Sequence, residues 1–234
     1  MQKQLQGQTL FRWEDLGQGI RILVSLCHGF GEDALLLADF AAPKPKERVC
    51  DLGTGCGILP FLWCRGPAPA HVTGVDCAQE AIALAEQSAA HNGLEERTSF
   101  YCADWNALPP ELPRGGFDRV TCNPPYFAAG TGVKSCGGAQ RTARHEPGPD
   151  MLPGLCRAAA GLLKNRGRFC LCHRPERLAD VITALRMAGL EPKRLQFVQQ
   201  RADTAPWLML CEAMKGGGNG LRIEAPRIKS ISAQ

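Results

Sequence analysis

The sequence predicts an α/β fold: seven strands in one mostly parallel sheet, helices on both faces, and an antiparallel strand pair at one edge. Three observations lead there. Apolar runs of strand length recur at 49–52, 71–76, 98–104, 117–122, 167–173, 193–199 and 207–213. Several of the segments between them carry apolar residues at helical spacing, and a helix between two strands returns the chain to run parallel to the first. A glycine-rich turn follows the first strand, as in Rossmann-like sheets, where ligands bind beyond the carboxyl ends of the strands.

Val49-Cys50-Asp51-Leu52 reads as a short buried strand, and Gly53, Gly55 and Gly57 open onto the apolar run 58–63, which reads as a helix. The run 71–76 is the next strand and ends in Asp76; a helix over 78–92 follows, with Ile82, Ala85 and Ala89 on one face. A third strand, 98–104, ends in Asp104, and a fourth, 117–122, leads into Asn123-Pro124-Pro125-Tyr126. Helices at 150–164 and 176–188 alternate with the remaining strands, the second presenting Leu178, Val181, Ile182 and Leu185 on one side. Gly93, Gly167 and Gly189 fall where these helices are expected to stop. The last two strands are joined by a short polar link through Arg201, Asp203 and Pro206, which implies an antiparallel pair at the sheet edge.

The glycines are spaced G-x-G-x-G, unlike the G-x-G-x-x-G of dinucleotide sites, and an acid precedes the first of them. A carboxylate there would repel a pyrophosphate. It suits a ligand carrying positive charge and hydroxyls, and S-adenosylmethionine offers a sulfonium, an ammonium and a ribose. Asp76 stands one βαβ unit further on, where an acid commonly grips ribose hydroxyls. Asp104 is placed to accept from the adenine amino group of such a cofactor. A lone acid at a strand end is more often a helix cap or turn former, but three at successive strand ends are hard to explain as independent turns.

Asn123-Pro124-Pro125-Tyr126 forms a turn that can bind a planar NH2 group. The Asn123 side-chain oxygen and the Pro124 carbonyl are acceptors, the prolines fix φ around them, and Tyr126 offers a face for a stacked base. An ordinary proline turn closing a strand is the plain alternative. The glycine-rich stretch 128–147 follows directly and carries Lys134, Arg141, Arg144 and His145. A loop of that length beside such a site reads as a lid whose cations meet phosphates, or as a solvated loop with scattered charge.

With 234 residues and 44% apolar content the chain can bury one core, and a single domain over 1–234 is expected. The first residues are polar and no apolar stretch approaches spanning length, so neither signal peptide nor membrane span is expected and the cytoplasm is the expected location. Twelve cysteines include no C-x-x-C pair, and Cys170 and Cys172 fall on one face of a strand; buried free thiols and no metal are expected. A net charge of +4 argues for nucleic acid only where it is clustered, as in 128–147.

The chain resembles class I S-adenosylmethionine-dependent methyltransferases, and among them the bacterial tRNA1(Val) adenine-N6 methyltransferase family. Besides the two central motifs, the resemblance rests on Trp13 to Gly17 with His28 to Ala38, on Ala143-Arg144-His145-Glu146, on His173 to Leu178, and on the tail from Glu212 to Ile223. It implies a cofactor-covering segment at 1–45, a catalytic core at 46–216 and a tail at 217–234. It also implies cofactor contacts from Phe30, Gly31 and Asp33, from Asp51, Gly53, Gly55 and Gly57, and from Asp76, Asp104 and Asn123. Family members often have Thr or Ser before the acid of the first segment, where this chain has Glu32 before Asp33.

The implied reaction is transfer of a methyl group to the N6 nitrogen of a tRNA adenine beside the anticodon, with Asn123, Pro124, Pro125 and Tyr126 at the reacting base and Lys134, Arg141, Arg144 and His145 on the RNA. Two other readings stay open. One is a protein-glutamine methyltransferase acting on release factors, since a glutamine amide is also a planar NH2; that family carries a larger N-terminal domain, and only about 50 residues precede Asp51 here. The other is a non-catalytic RNA-binding protein that keeps the fold.

Overall fold

The structure, a computed structural model, describes residues 11–66, 69–124 and 151–229. It begins with a hairpin of β1 (Phe11–Gly17) and β2 (Ile20–Ser25), turned through Gly17, Gln18 and Gly19, all at positive φ. Helix α1 (Glu32–Ala41) leads to β3 (Arg48–Leu52), α2 (Ile58–Cys64), β4 (His71–Asp76), α3 (Gln79–Asn92) and β5 (Thr98–Cys102). After a 3-10 turn at Trp105–Ala107 come β6 (Phe117–Cys122), α4 (Met151–Leu162) and β7 (Leu163–His173). A second 3-10 turn, Pro175–Arg177, opens α5 (Leu178–Met187), followed by β8 (Leu190–Gln199), β9 (Leu208–Lys215) and the two-residue strands β10 (Arg222–Ile223) and β11 (Arg227–Ile228).

The main sheet runs β10-β8-β9-β7-β6-β3-β4-β5, with β11 also on β8. Only β9 runs against its neighbours, β7 and β8; the other pairings among the described residues of this sheet are parallel. Strand side chains alternate between two cores. Val49, Cys170, Cys172, Leu208 and Leu210 pack with α1, α2 and the hairpin, while Cys50, Leu52, Phe169, Leu171 and Met209 pack with α4 and α5. Every residue of α2 is buried, so its uniformly apolar sequence needs no polar face. Pro60 is tolerated because it falls in the first turn, where an N–H has no intrahelical partner to lose.

The hairpin is an element that its mixed sequence does not announce. It lies along α3: Ser88 Oγ accepts from Leu23 N at 2.9 Å, Asn92 Oδ1 accepts from Arg21 N at 2.9 Å, and the rings of Trp13 and His91 stand 4.2 Å apart.

Four expectations need correction. The antiparallel pair is not the edge, because β10 and β11 extend the sheet beyond β8. These two strands make nine in the main sheet, where seven were expected. Gly167 does not stop a helix: α4 passes directly into β7 at Leu163, and Arg166 takes the positive φ of 67°. Gly167 lies where the β6–β7 pairing shifts register, and a Cβ there would stand 2.9 Å from the Lys164 carbonyl and 3.2 Å from that of Phe117. Strand β5 ends at Cys102, two residues before Asp104. Gly93 does end its helix, at φ 63° after α3.

A buried charge cluster ties the amino-terminal half of the sheet together. Glu212 on β9 accepts from Arg119 on β6 at 3.2 Å, Arg168 on β7 at 2.6 Å and Arg194 on β8 at 3.4 Å, and Arg119 also meets Glu47 at 3.1 Å. Among the described residues no helix is long and apolar enough to cross a membrane, and no group of three His, Cys, Asp or Glu is placed to hold a metal.

Candidate functional site

Strand order reverses between β3 and β6: the chain continues from β3 outward to β4 and β5 on one side, and from β6 to β7 on the other. Such a switch point leaves a crevice at the carboxyl ends of the strands. The glycine turn after β3 lines it. Gly53, Gly55 and Gly57 have φ of 72°, 56° and 89°, a region that L side chains rarely adopt. Gly57 is doubly constrained, since a Cβ would lie 2.7 Å from the Phe61 ring. The turn is hung from β4: Gly53 N and Thr54 N both donate to the Val75 carbonyl, at 2.8 and 3.0 Å.

Phe30, Gly31 and Asp33 come from the entry to α1 and face Asp51, Gly53, Gly55 and Asn123 across one cavity of about 400 Å³. Asp51 is 2% exposed, and Thr121 on β6 donates to it at 2.6 Å. Burial pushes its carboxyl up to about 7, the hydrogen bond from Thr121 holding it back in part. Thr54 is also buried in the wall, its hydroxyl near enough to Asp51 to favour the charged form yet without a partner in hydrogen-bond geometry. An acid near neutrality, a second acid at Asp33 and an unpaired hydroxyl suit a small polar ligand bearing positive charge, and S-adenosylmethionine fits that description.

Gly57, Asp76 and Asp104 do not line this cavity. Gly57 caps α2. Asp76 braces the turn, its carboxylate accepting from Gly55 N at 2.9 Å and Ala78 N at 2.8 Å. Asp104 caps the turn at Trp105–Ala107, accepting from Asn106 N at 2.8 Å. Glu32 forms an ion pair with Lys229 of the tail at 2.7 Å. Pro124 is among the described residues; Pro125, Tyr126, Lys134, Arg141, Arg144 and His145 lie outside them. Sequence reasoning missed Thr54 and Thr121. Thr121 carried a usable signal, a polar residue inside an otherwise apolar strand end beside Asn123.

A family model described as a methyltransferase domain matches residues 43–188. The chain is 32% identical over 143 residues to the tRNA1(Val) (adenine(37)-N6)-methyltransferase of Enterobacter sp. (strain 638), covering 60% of this chain and 56% of that one. It is 31% identical over 138 residues to the ribosomal protein uL3 glutamine methyltransferase of Bordetella pertussis, covering 55% and 44%. It thus spans about half the length of these curated relatives. The solved structure of a protein described as a predicted O-methyltransferase, Atu636 from Agrobacterium tumefaciens, superposes with a TM-score of 0.67 at 23% identity over 86% of this chain and 89% of that one, a likeness of fold. With more than half of its residues matched by the family model, on a class I fold, the chain belongs to the methyltransferase domain family, with S-adenosyl-L-methionine as the cofactor.

Proposed function

We propose that this chain methylates the N6 nitrogen of an adenine in tRNA, at the anticodon-loop adenosine adjacent to the anticodon of tRNA1(Val). The observation that carries the reading is the placement of Asn123: an amide at the end of β6, before Pro124, in the same cavity as Asp51 and the glycine turn. The similarity to the Enterobacter enzyme supports the choice of acceptor. Residues 46–216 form the catalytic core in this reading, 1–45 cover the cofactor, and 217–234 are the tail.

When bound, the cofactor supplies an electrophilic methyl group on a sulfonium. Asp51 and Asp33 offset its positive charge, Thr54 gains the partner it lacks, and Asp76 holds the glycine turn while offering a carboxylate to ribose hydroxyls. An exocyclic adenine nitrogen is a poor nucleophile because its lone pair is delocalised into the ring. Asn123 Oδ1 and the Pro124 carbonyl each accept one N–H, which favours the geometry that localises the pair. As the N–C bond forms and the sulfonium S–C bond breaks, its electron pair staying on a neutral thioether, the nitrogen becomes positive and both acceptors bind it more strongly, so they act on the transition state more than on the ground state. The methylated nitrogen then loses a proton to water, since its conjugate acid is strong. A flipped base stacks on Tyr126 in this reading, and Lys134, Arg141, Arg144 and His145 hold phosphates.

A second reading is favoured by the similarity to the Bordetella glutamine methyltransferase: the same two acceptors would bind the amide NH2 of a protein glutamine. The two are separated by incubating the protein with methyl-labelled S-adenosylmethionine, tRNA lacking this modification, and ribosomal protein uL3 or a release factor. Label in N6-methyladenosine is expected; label in methylglutamine with none in RNA would replace the first reading by the second.

A further inference from the structure

Asn123 is the first residue past β6, and its side chain is held from the neighbouring strand. The Cys172 thiol on β7 donates to Asn123 Oδ1, with Sγ and Oδ1 3.1 Å apart. The two residues are 49 positions apart. They meet because β6 and β7 run parallel with Cys122 opposite Leu171, which sets the next residues side by side. Strand β7 is itself fixed from its other edge, where Cys172 lies opposite Leu210 of β9. The thiol is fully buried in the core shared with Cys170, Leu208 and Leu210. A donor delivered from a central strand is placed more firmly than one delivered from a loop.

The terminal torsion of an asparagine is broad and roughly two-fold. In one orientation Oδ1 faces an incoming amine and accepts its N–H; in the other the Nδ2 donors face it, and N–H meets N–H. A donor fixed on the sheet favours one of the two. A carbonyl oxygen has two lone pairs, so Oδ1 can accept from the thiol and from a substrate amine together. Sulfur suits the task because a thiol packs in an apolar core like a small hydrophobe, and its weak donation leaves most of the charge on Oδ1 for the amine.

We infer that Cys172 is a positioning residue for methyl transfer, selecting the amide orientation in which Asn123 Oδ1 accepts from the substrate amine. The role rests on the reading of Asn123 as that acceptor. It assigns no chemistry to the thiol itself.

The test is a double-mutant cycle of Cys172→Val, Asn123→Ala and the two combined, with Cys172→Ser as the conservative variant. Each is measured for thermal unfolding, calorimetric affinity for S-adenosylmethionine, and single-turnover methylation of unmodified tRNA1(Val) transcript. Cys172→Val is expected to slow transfer about tenfold, the worth of one hydrogen bond, with cofactor affinity unchanged. Cys172→Ser is expected to regain most of the rate, and Cys172→Val to have no further effect where Asn123 is already alanine. A Cys172→Val rate equal to wild type, or the same loss in both backgrounds, overturns the inference, the latter because it marks a packing effect. Should the valine variant fail to fold, Cys172→Ala takes its place in the cycle. A slow Asn123→Ala beside a fast Cys172→Val sinks this inference alone; a fast Asn123→Ala removes the acceptor reading as well.

Discussion

Cofactor affinity should rise with pH through neutrality, and Asp51 should be the cause. Its carboxyl is buried between β3 and β6 and titrates at about 7, chiefly through burial, with the nearby Asp76 a smaller contribution in the same direction. A cationic ligand binds the ionised form. With a pKa of about 7, about one molecule in eleven is ionised at pH 6 and about ten in eleven at pH 8, so affinity should be about tenfold weaker at pH 6. Calorimetry in buffers of different ionisation enthalpy should also find close to one proton released on binding at pH 6 and almost none at pH 8. Ligand-free stability carries the opposite sign. The folded pKa lies above the unfolded value of 3.8, so the folded protein holds the extra proton between them. Asp51 therefore costs nothing below about pH 4, and its cost grows as pH rises to 7, reaching at most about 4 kcal/mol. Asp51→Asn should flatten both profiles. Wild-type affinity constant from pH 6 to 8, or a slope that survives in Asp51→Asn, would refute the assignment.

Asp76→Ala should weaken S-adenosylmethionine binding by about 1.5–3 kcal/mol, through a lost charge-assisted contact and a loosened turn at Gly55; unchanged calorimetric affinity in a folded variant ends its role at the ribose. Glu212→Ala removes the carboxylate shared by Arg119, Arg168 and Arg194 and leaves the buried Arg119 with Glu47, so it should lower stability to urea by about 3–5 kcal/mol, whereas a loss under about 1 kcal/mol would mean that Glu47 suffices. Neutralising Lys134 and Arg144 together should flatten the dependence of log K on log salt for tRNA by about one to two units with cofactor affinity unchanged. An unaltered slope would move the RNA surface to Arg174 and Arg177. Lys215 is a poor substitute, because its ammonium is committed to the Ala160 and Leu163 carbonyls at the end of α4.

What was legible in the sequence was whatever depends on neighbours along the chain. Asp51 before three spaced glycines, Asp76 one βαβ unit later and Asn123 at a proline turn are local patterns, and the parallel sheet turns spacing along the chain into proximity at the strand ends. Asp104 lies two residues past its strand and also caps the turn at Trp105–Ala107, a contact that the rhythm of the strand ends does not reveal. Gly167 was misread because a glycine after a helical stretch looks like a stop, whereas here it admits close backbones at a register shift. The hairpin carries little alternation to reveal it, and β10 and β11, two residues each, have none. Thr121 on Asp51 and Cys172 on Asn123 depend on the register between strands, which no window of sequence contains.

The most direct measurement of the central claim is single-turnover transfer from S-adenosylmethionine to unmodified tRNA1(Val) by wild type and Asn123→Ala, with cofactor affinity measured alongside. The account predicts N6-methyladenosine in the product and a rate in Asn123→Ala lower by about 100-fold or more, with affinity for the cofactor nearly intact, as for removal of a preorganised acceptor. A fall of less than tenfold would contradict it and leave Asn123 a turn residue.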